Sequence, residues 1–139
     1  MRILLDTNII IDALTGREPW NKEAEQIFLM AANQIADMYI TASSATDIFY
    51  ILRKHLHNTE ESKQVMSKLY DLFGILNVTG KDCVDALAST IKDYEDAVLE
   101  NVAKTNDIDY IVTRNIKDYE MGTVAVLPPK DLIAVLEKE

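Results

Sequence analysis

Short apolar runs that alternate with longer amphipathic segments constrain the fold of this chain more than any other feature. Five runs have the length and composition of buried strands: 3–5, 38–40, 75–78, 110–112 and 124–126. Between and after them lie segments with apolar residues at helical spacing: 9–14, 21–35, 46–56, 59–73, 81–91, 95–106 and a last helix that ends near 136. Strands separated by helices predict an α/β sandwich around a mostly parallel sheet of about five strands.

Length and charge limit what such a sandwich can do. The 139 residues suit one domain, 1–139, and no apolar run approaches the roughly 20 residues of a membrane span. The net charge of −9 disfavours a classical basic nucleic-acid binder if the acids are spread evenly. If the acids converge, the natural ligand is a divalent cation, which can in turn carry a polyanion. The single Cys83 cannot form an internal disulfide, which favours a reducing cytoplasm.

Five carboxylates are expected to meet at one edge of the sheet, because ligands of open α/β sheets lie beyond the carboxyl ends of the strands. Asp6 and Asp118 follow the first and fourth strands, and Asp47 lies near the start of the helix after the second strand. Asp93 and Asp96 lie at the amino end of the helix that leads into the fourth strand. Carboxylates this close together must take up protons or bind a cation. Oxygen ligands without His or Cys suit Mg²⁺ or Mn²⁺, which could activate water against a phosphodiester.

Several of these residues also have a purely structural interpretation. Asp93 could be an N-cap, and Asp96 and Asp47 could be favourable charges near a helix start. Arg114 next to the proposed site could contact a phosphate. Four further acids are expected to be solvated surface residues: Asp12, Asp71, Asp82 and Asp85.

Three motifs stand out along the chain: LDTN at 5–8, DYEDA at 93–97, and IVTRN at 111–115 followed by Asp118. Together, and in this order, they resemble the PIN-domain family, which includes the VapC-type toxins of bacterial toxin–antitoxin pairs. The resemblance covers nearly the whole chain. It implies a Rossmann-like α/β/α fold, a homodimer, and Mg²⁺- or Mn²⁺-dependent cleavage of single-stranded RNA, or of structured RNA with exposed single strands.

Carried over by motif, Asp6, Asp96 and Asp118 match the acidic metal ligands of the family. Asn8 and Thr113 match its supporting polar positions, and Asn115 matches a polar residue that often closes the site. One position departs from the pattern, since the second acid is usually Glu in the family and Asp47 is the best match here. Aspartate is one methylene shorter, so Asp47 would reach a metal through water or orient the attacking water.

Three functions remain open from the sequence. The first is a metal-dependent endoribonuclease, for which the resemblance implies an antitoxin protein as partner. The second is an acid-rich phosphatase or phosphotransferase with Asp6 as its nucleophile, which is disfavoured because Asp-Thr-Asn lacks the second Asp of such a site. The third is a non-catalytic module that binds metal and RNA or protein, for which the Asp47 departure is the main support.

Overall fold

A computed structural model describes residues 1–138, so the last residue of the predicted 1–139 domain lies outside the described residues. It contains five strands: β1 (Arg2–Leu5), β2 (Asp37–Thr41), β3 (Gly74–Leu76), β4 (Tyr110–Val112) and β5 (Val126–Leu127). The α-helices are α1 (Thr7–Thr15), α2 (Asn21–Ala32), α3 (Ala42–Leu56), α4 (Thr59–Leu72), α5 (Gly80–Ala86), α6 (Tyr94–Thr105) and α7 (Pro129–Glu137). A 3₁₀ helix, Ile116–Tyr119, follows β4.

All strand pairings in the sheet are parallel, and the strand order is β3-β2-β1-β4-β5. The predicted α/β sandwich around a parallel sheet is therefore confirmed. Because β1 lies between β2 and β4, its carboxyl end is flanked by the ends of both neighbouring strands. Polar residues that follow these three strands are thereby brought to one edge of the sheet.

The two faces of the sheet carry separate apolar clusters. Along β1, Ile3 and Leu5 belong to the cluster that contains side chains of α1, α2, α3, α4 and α7. Leu4 belongs to the other cluster, which includes residues of α5 and α6 and the ring of Tyr119. The alternation follows from the two-residue period of a strand, and it makes β1 a strand buried on both faces. No helix within residues 1–138 is long and apolar enough to cross a membrane.

Some element boundaries differ from the predicted ones. Helix α3 begins at Ala42, four residues before the predicted start at 46, because the Thr41 side chain accepts a hydrogen bond from the Ser44 amide and caps the helix. The predicted helix 81–91 ends at Ala86. The predicted strand 124–126 is observed as Val126–Leu127. These differences shift the ends of individual elements and leave the order of the elements unchanged.

Asp82 is not the solvated surface acid that the sequence predicted. Only 5% of it is exposed, and its carboxylate accepts hydrogen bonds from the Thr79 amide at 2.9 Å and from the Asn101 amide group at 2.9 Å. Thr79 and Asp82 form a capping box at the start of α5. These bonds compensate for burial and lower the pKa of Asp82 even though burial alone would raise it. Its role is structural.

Candidate functional site

A cleft of about 580 Å³ lies at the carboxyl edge of the sheet. It is lined by all five carboxylates that were predicted to converge and by one further acid: Asp6, Asp47, Asp93, Glu95, Asp96 and Asp118. Asn8 and Asn115 also line it. The five acids therefore converge as the sequence predicted.

Asp6 lies directly after β1 and caps the start of α1. Its Oδ1 accepts a hydrogen bond from the Thr7 amide at 2.7 Å. Its Oδ2 accepts from the Thr113 hydroxyl at 2.9 Å and from the Tyr119 hydroxyl at 3.2 Å. Three donors thus hold this half-buried carboxylate in one orientation.

Thr113 connects Asp6 to the other polar residues at the ends of β1 and β4. Its hydroxyl accepts hydrogen bonds from the Asn8 side-chain amide at 3.2 Å and from the Asn115 backbone amide at 3.1 Å. Thr113 is fully buried, so these partners satisfy a hydroxyl that has no access to water. The structure therefore brings together the three residues that the motif identified as supporting positions.

The amino end of α6 contributes two carboxylates. Asp93 caps the helix and accepts a hydrogen bond from the Asp96 amide at 3.0 Å, so its structural interpretation is confirmed while its side chain also lines the cleft. Asp96 accepts a hydrogen bond from the Tyr119 hydroxyl at 3.0 Å. Asp118 reaches the same cleft from the exposed side of the 3₁₀ helix.

Asp47 lines the cleft from α3, on the helix face that also presents Ser43 and Ile51. It is the sixth residue of α3 rather than near its start, since the helix begins earlier than predicted. Glu95 lies close to it. A hydrogen bond with Asp47, burial, and the charges of nearby acids raise the pKa of Glu95 to about 7. The hydrogen bond with Asp47 therefore stabilises the protonated form of Glu95.

Protonation equilibria reflect the crowding of acids in the rest of the cleft. Burial, followed by the charges of Asp6, Asp93 and Asp118, raises the pKa of Asp96 to about 6 against the opposing hydrogen bond from Tyr119. Burial also raises the pKa of Asp6, while its three donors lower it. The Tyr119 hydroxyl keeps its proton, since burial and both carboxylates raise its pKa. The cleft therefore favours either bound protons or a bound cation.

The donor set fits a hard divalent cation, because the acids and amides that line the cleft offer oxygen ligands. Within residues 1–138, no three His, Cys, Asp or Glu side chains lie close enough to form a ready-made metal site. Asp6, Asp96 and Asp118 come from three different segments, and they are the carboxylates that would hold a cation. Their side chains would have to close around it.

Arg114, for which the sequence predicted a phosphate contact, is paired with an acid of the same protein. Its guanidinium forms a two-point salt bridge with Asp12, with Nη2 donating to Oδ1 at 3.2 Å, and it stacks 4.1 Å from the centre of the Trp20 ring. Asp12 is 1% exposed, so the prediction that it is a solvated surface acid is wrong. The pairing occupies the Arg114 guanidinium and does not favour the predicted phosphate contact.

Three residues at the site were missed by the sequence analysis. Arg17 lines the cleft from the loop after α1, next to the left-handed Gly16 that ends the helix. Glu95 and Tyr119 are adjacent to predicted acids, and only their position beside Asp96 and Asp118 could have drawn attention to them. No spacing rule predicts that the Tyr119 hydroxyl reaches two carboxylates from segments far apart in the sequence.

Comparison with known proteins agrees with this fold. A family model described as the PIN domain matches residues 2–117, and the chain therefore belongs to the PIN-domain family. No curated protein matches the chain.

Solved structures of toxins share the fold. A toxin–antitoxin complex from Klebsiella pneumoniae has a TM-score of 0.65 and 26% identity, covering 91% of this chain and 97% of that one. VapBC-1 from nontypeable Haemophilus influenzae has a TM-score of 0.70 and 18% identity, covering 94% and 99%. VapC20 from Mycobacterium tuberculosis, described as a sarcin–ricin loop cleaving toxin, has a TM-score of 0.68 and 13% identity, covering 91% and 99%.

Proposed function

We propose that this protein is a metal-dependent endoribonuclease that cleaves phosphodiester bonds of single-stranded RNA, or of exposed single strands in structured RNA, with Mg²⁺ or Mn²⁺ as its cofactor. The observation that carries the proposal is the convergence of acids from four separate segments in one cleft of a PIN domain. One structural neighbour is described as a toxin that cleaves the sarcin–ricin loop, which supports an RNA substrate.

The residues of the cleft have different roles in this proposal. Asp6, Asp96 and Asp118 would hold the cation, and Thr113, Asn8, Asn115 and Asp93 keep two of these carboxylates and their helix end in place. A bound divalent cation would polarise the phosphodiester and lower the pKa of an attacking water. Asp47 and Glu95, which lie close together in the cleft, would orient that water and accept its proton.

Arg17 is the residue that we propose for contact with an RNA phosphate. It is exposed and lines the same cleft as the carboxylates. The guanidinium fork suits the oxygens of a phosphate, and a positive charge here offsets the repulsion between an acidic cleft and a polyanion. Arg114 is unsuited to this role because Asp12 already neutralises it.

The proposal includes partners and cellular context. The neighbours include complexes of toxins with antitoxins, which supports the proposal that this chain is the toxin of a type II toxin–antitoxin pair. We also propose a homodimer in a reducing cytoplasm, for which Cys83 and the family resemblance are the support.

The test is cleavage of a labelled single-stranded RNA with Mn²⁺ or Mg²⁺, with EDTA as a control. Asp118→Asn is the most informative variant, because Asp118 is exposed and its loss should leave the fold intact. Asp71→Asn, which removes an exposed acid outside the cleft, is the matched control and should cleave like wild type.

Cleavage that is lost in EDTA and in Asp118→Asn, and retained in Asp71→Asn, would support the nuclease. Cation binding without cleavage of any RNA tested would favour the non-catalytic module. Release of phosphate from a small phosphoester through a trapped aspartyl phosphate on Asp6 would favour a phosphatase.

A further inference from the structure

Tyr119 joins the apolar core to the acidic cleft. Its ring belongs to the apolar cluster that also contains Leu4 and Ala97, and the whole residue is 2% exposed. Its hydroxyl is the polar atom of this side chain and lies among carboxylates rather than in the core. A phenylalanine ring would fill the same place in the apolar cluster, so packing does not account for the hydroxyl.

The hydroxyl oxygen lies 3.0 Å from Asp96 Oδ1 and 3.2 Å from Asp6 Oδ2. These two acids come from different segments, after β1 and at the start of α6. The hydroxyl has one proton, which the two acceptors share in a three-centre hydrogen bond, and this links their oxygens at a fixed separation and reduces their mutual repulsion. Asp6 still has one oxygen, Oδ1, that accepts only the Thr7 amide among these bonds, and so keeps capacity for a further ligand.

We propose that Tyr119 is a positioning residue that sets the separation and orientation of Asp6 and Asp96 for a divalent cation. The inference rests on the cation site of the proposed function. Hydrogen-bond partners of ligating carboxylates orient them, and loss of such a partner usually weakens metal binding by about 10–100-fold. Tyr119 acts through the two carboxylates and has no contact with substrate in this role.

The segments on either side of Tyr119 are fixed to the rest of the protein, which restricts the position of its hydroxyl. Tyr119 ends the 3₁₀ helix that also carries Asp118, so one short turn supplies both a candidate ligand and the residue that positions two others. The following segment is anchored by Glu100, whose Oε2 accepts from the Thr123 amide at 2.9 Å. A Cβ on Gly122 would clash with the same oxygen, so only glycine allows the chain to pass there without displacing Glu100.

The experiment is a calorimetric titration with Mn²⁺ alone of the full chain as wild type, Tyr119→Phe and Tyr39→Phe. Tyr119→Phe keeps the buried ring and removes only the hydroxyl. Tyr39→Phe removes a hydroxyl that accepts a hydrogen bond from Arg2 at 2.8 Å, near the opposite edge of the sheet. Circular dichroism in EDTA checks that each variant is folded.

The expected result is that Tyr119→Phe binds Mn²⁺ about 10–100-fold more weakly, while Tyr39→Phe binds like wild type. A second readout uses wild type alone: the ring ¹³Cζ resonance of Tyr119 should shift when Mg²⁺ is added, because the cation withdraws charge from both acceptor carboxylates. This readout keeps the test decisive if Tyr119→Phe does not fold.

Mn²⁺ binding by Tyr119→Phe that is equal to or tighter than that of wild type would overturn the proposal, as would a ¹³Cζ resonance unmoved by Mg²⁺. Failure of wild type to bind Mn²⁺ would overturn this proposal and the proposed function together. Weakened binding in Tyr119→Phe alongside a wild type that cleaves no RNA would support the positioning role and reject only the nuclease.

Discussion

Asp6 and Asp12 lie six residues apart on the same segment, yet their surroundings differ in whether a cationic side chain is paired with the carboxylate. Asp12 is buried and neutralised by Arg114, whose guanidinium is in turn covered by Trp20. Asp6 is held by an amide and two hydroxyls, and among residues 1–138 none of the ion pairs involves it. Its nearest charged neighbours include Asp118, which adds to the burial that raises its pKa.

The difference separates a structural acid from a candidate functional one. Asp12 is paired with a cationic side chain of the same protein, whereas Asp6 has only neutral donors, and we propose that its cation comes from solution. A buried carboxylate held by neutral donors and grouped with other acids is thus a better sign of a metal-dependent site than acidity alone.

Removal of the Arg114 guanidinium, which is paired with Asp12, is expected to have the largest effect, and this effect is on stability. Arg114→Met leaves Asp12 buried without its partner, and loss of one partner of such a pair should lower the free energy of unfolding by about 3 kcal/mol. Urea denaturation measures this loss. The double variant Asp12→Asn with Arg114→Met should recover most of it, and an Arg114→Met protein as stable as wild type would show that the salt bridge is not structural.

Thr113→Val tests how strongly the neutral donors matter to Asp6. Valine keeps the shape of the side chain and removes the hydroxyl that donates to Asp6 at 2.9 Å, so we expect Mn²⁺ affinity to fall about 10–100-fold in calorimetric titration. Thr105→Val, at the exposed end of α6, is the control. Equal affinities in the two variants would mean that the orientation of Asp6 contributes nothing to binding.

Asp47→Asn should have a smaller effect on RNA cleavage, about tenfold, because Asp47 is assigned to the water rather than to the cation. Asp47→Glu restores the missing methylene and should cleave at least as fast as wild type. Initial rates on one labelled RNA compare the variants with Asp118→Asn. A loss in Asp47→Asn as complete as that in Asp118→Asn would move Asp47 into the set of cation ligands.

The smallest expected effect is a pH dependence of stability in EDTA. The folded-state pKa values of Asp96 and Glu95 are raised to about 6 and about 7, from 3.8 and 4.5, so between these limits the folded state binds more protons than the unfolded state. Their contribution to stability is therefore present near pH 4 and is lost as the pH rises through 6 and 7. Thermal melts should show a shallower decline over this range in Asp96→Asn, and an unchanged slope would contradict the assignment.

The fold and most of the cleft could be predicted from sequence, because both depend on local patterns. The apolar runs locate the strands, and the rule that ligands lie beyond parallel strand ends locates Asp6 and Asp118 without any knowledge of contacts. Asp93 and Asp96 follow from the direction of the helix that precedes β4.

The remaining features depend on contacts between residues distant in sequence. The salt bridge between Asp12 and Arg114 spans 102 positions, and no local pattern distinguishes Asp12 from a surface acid. The Tyr119 hydroxyl likewise meets Asp6 across 113 positions. The start of α3 was misplaced for a different reason, since a single capping hydrogen bond at Thr41 decided it.

The most direct test of the cation site is Mn²⁺ binding to Asp6→Asn, measured by calorimetry beside wild type and Asp71→Asn. The latter has the same net charge as Asp6→Asn but keeps the cleft intact. Asp71→Asn is expected to bind Mn²⁺ like wild type, whereas Asp6→Asn, folded by circular dichroism, is expected to have lost the site. Equal Mn²⁺ affinity in Asp6→Asn and wild type would contradict the claim that Asp6 anchors a cation in this cleft.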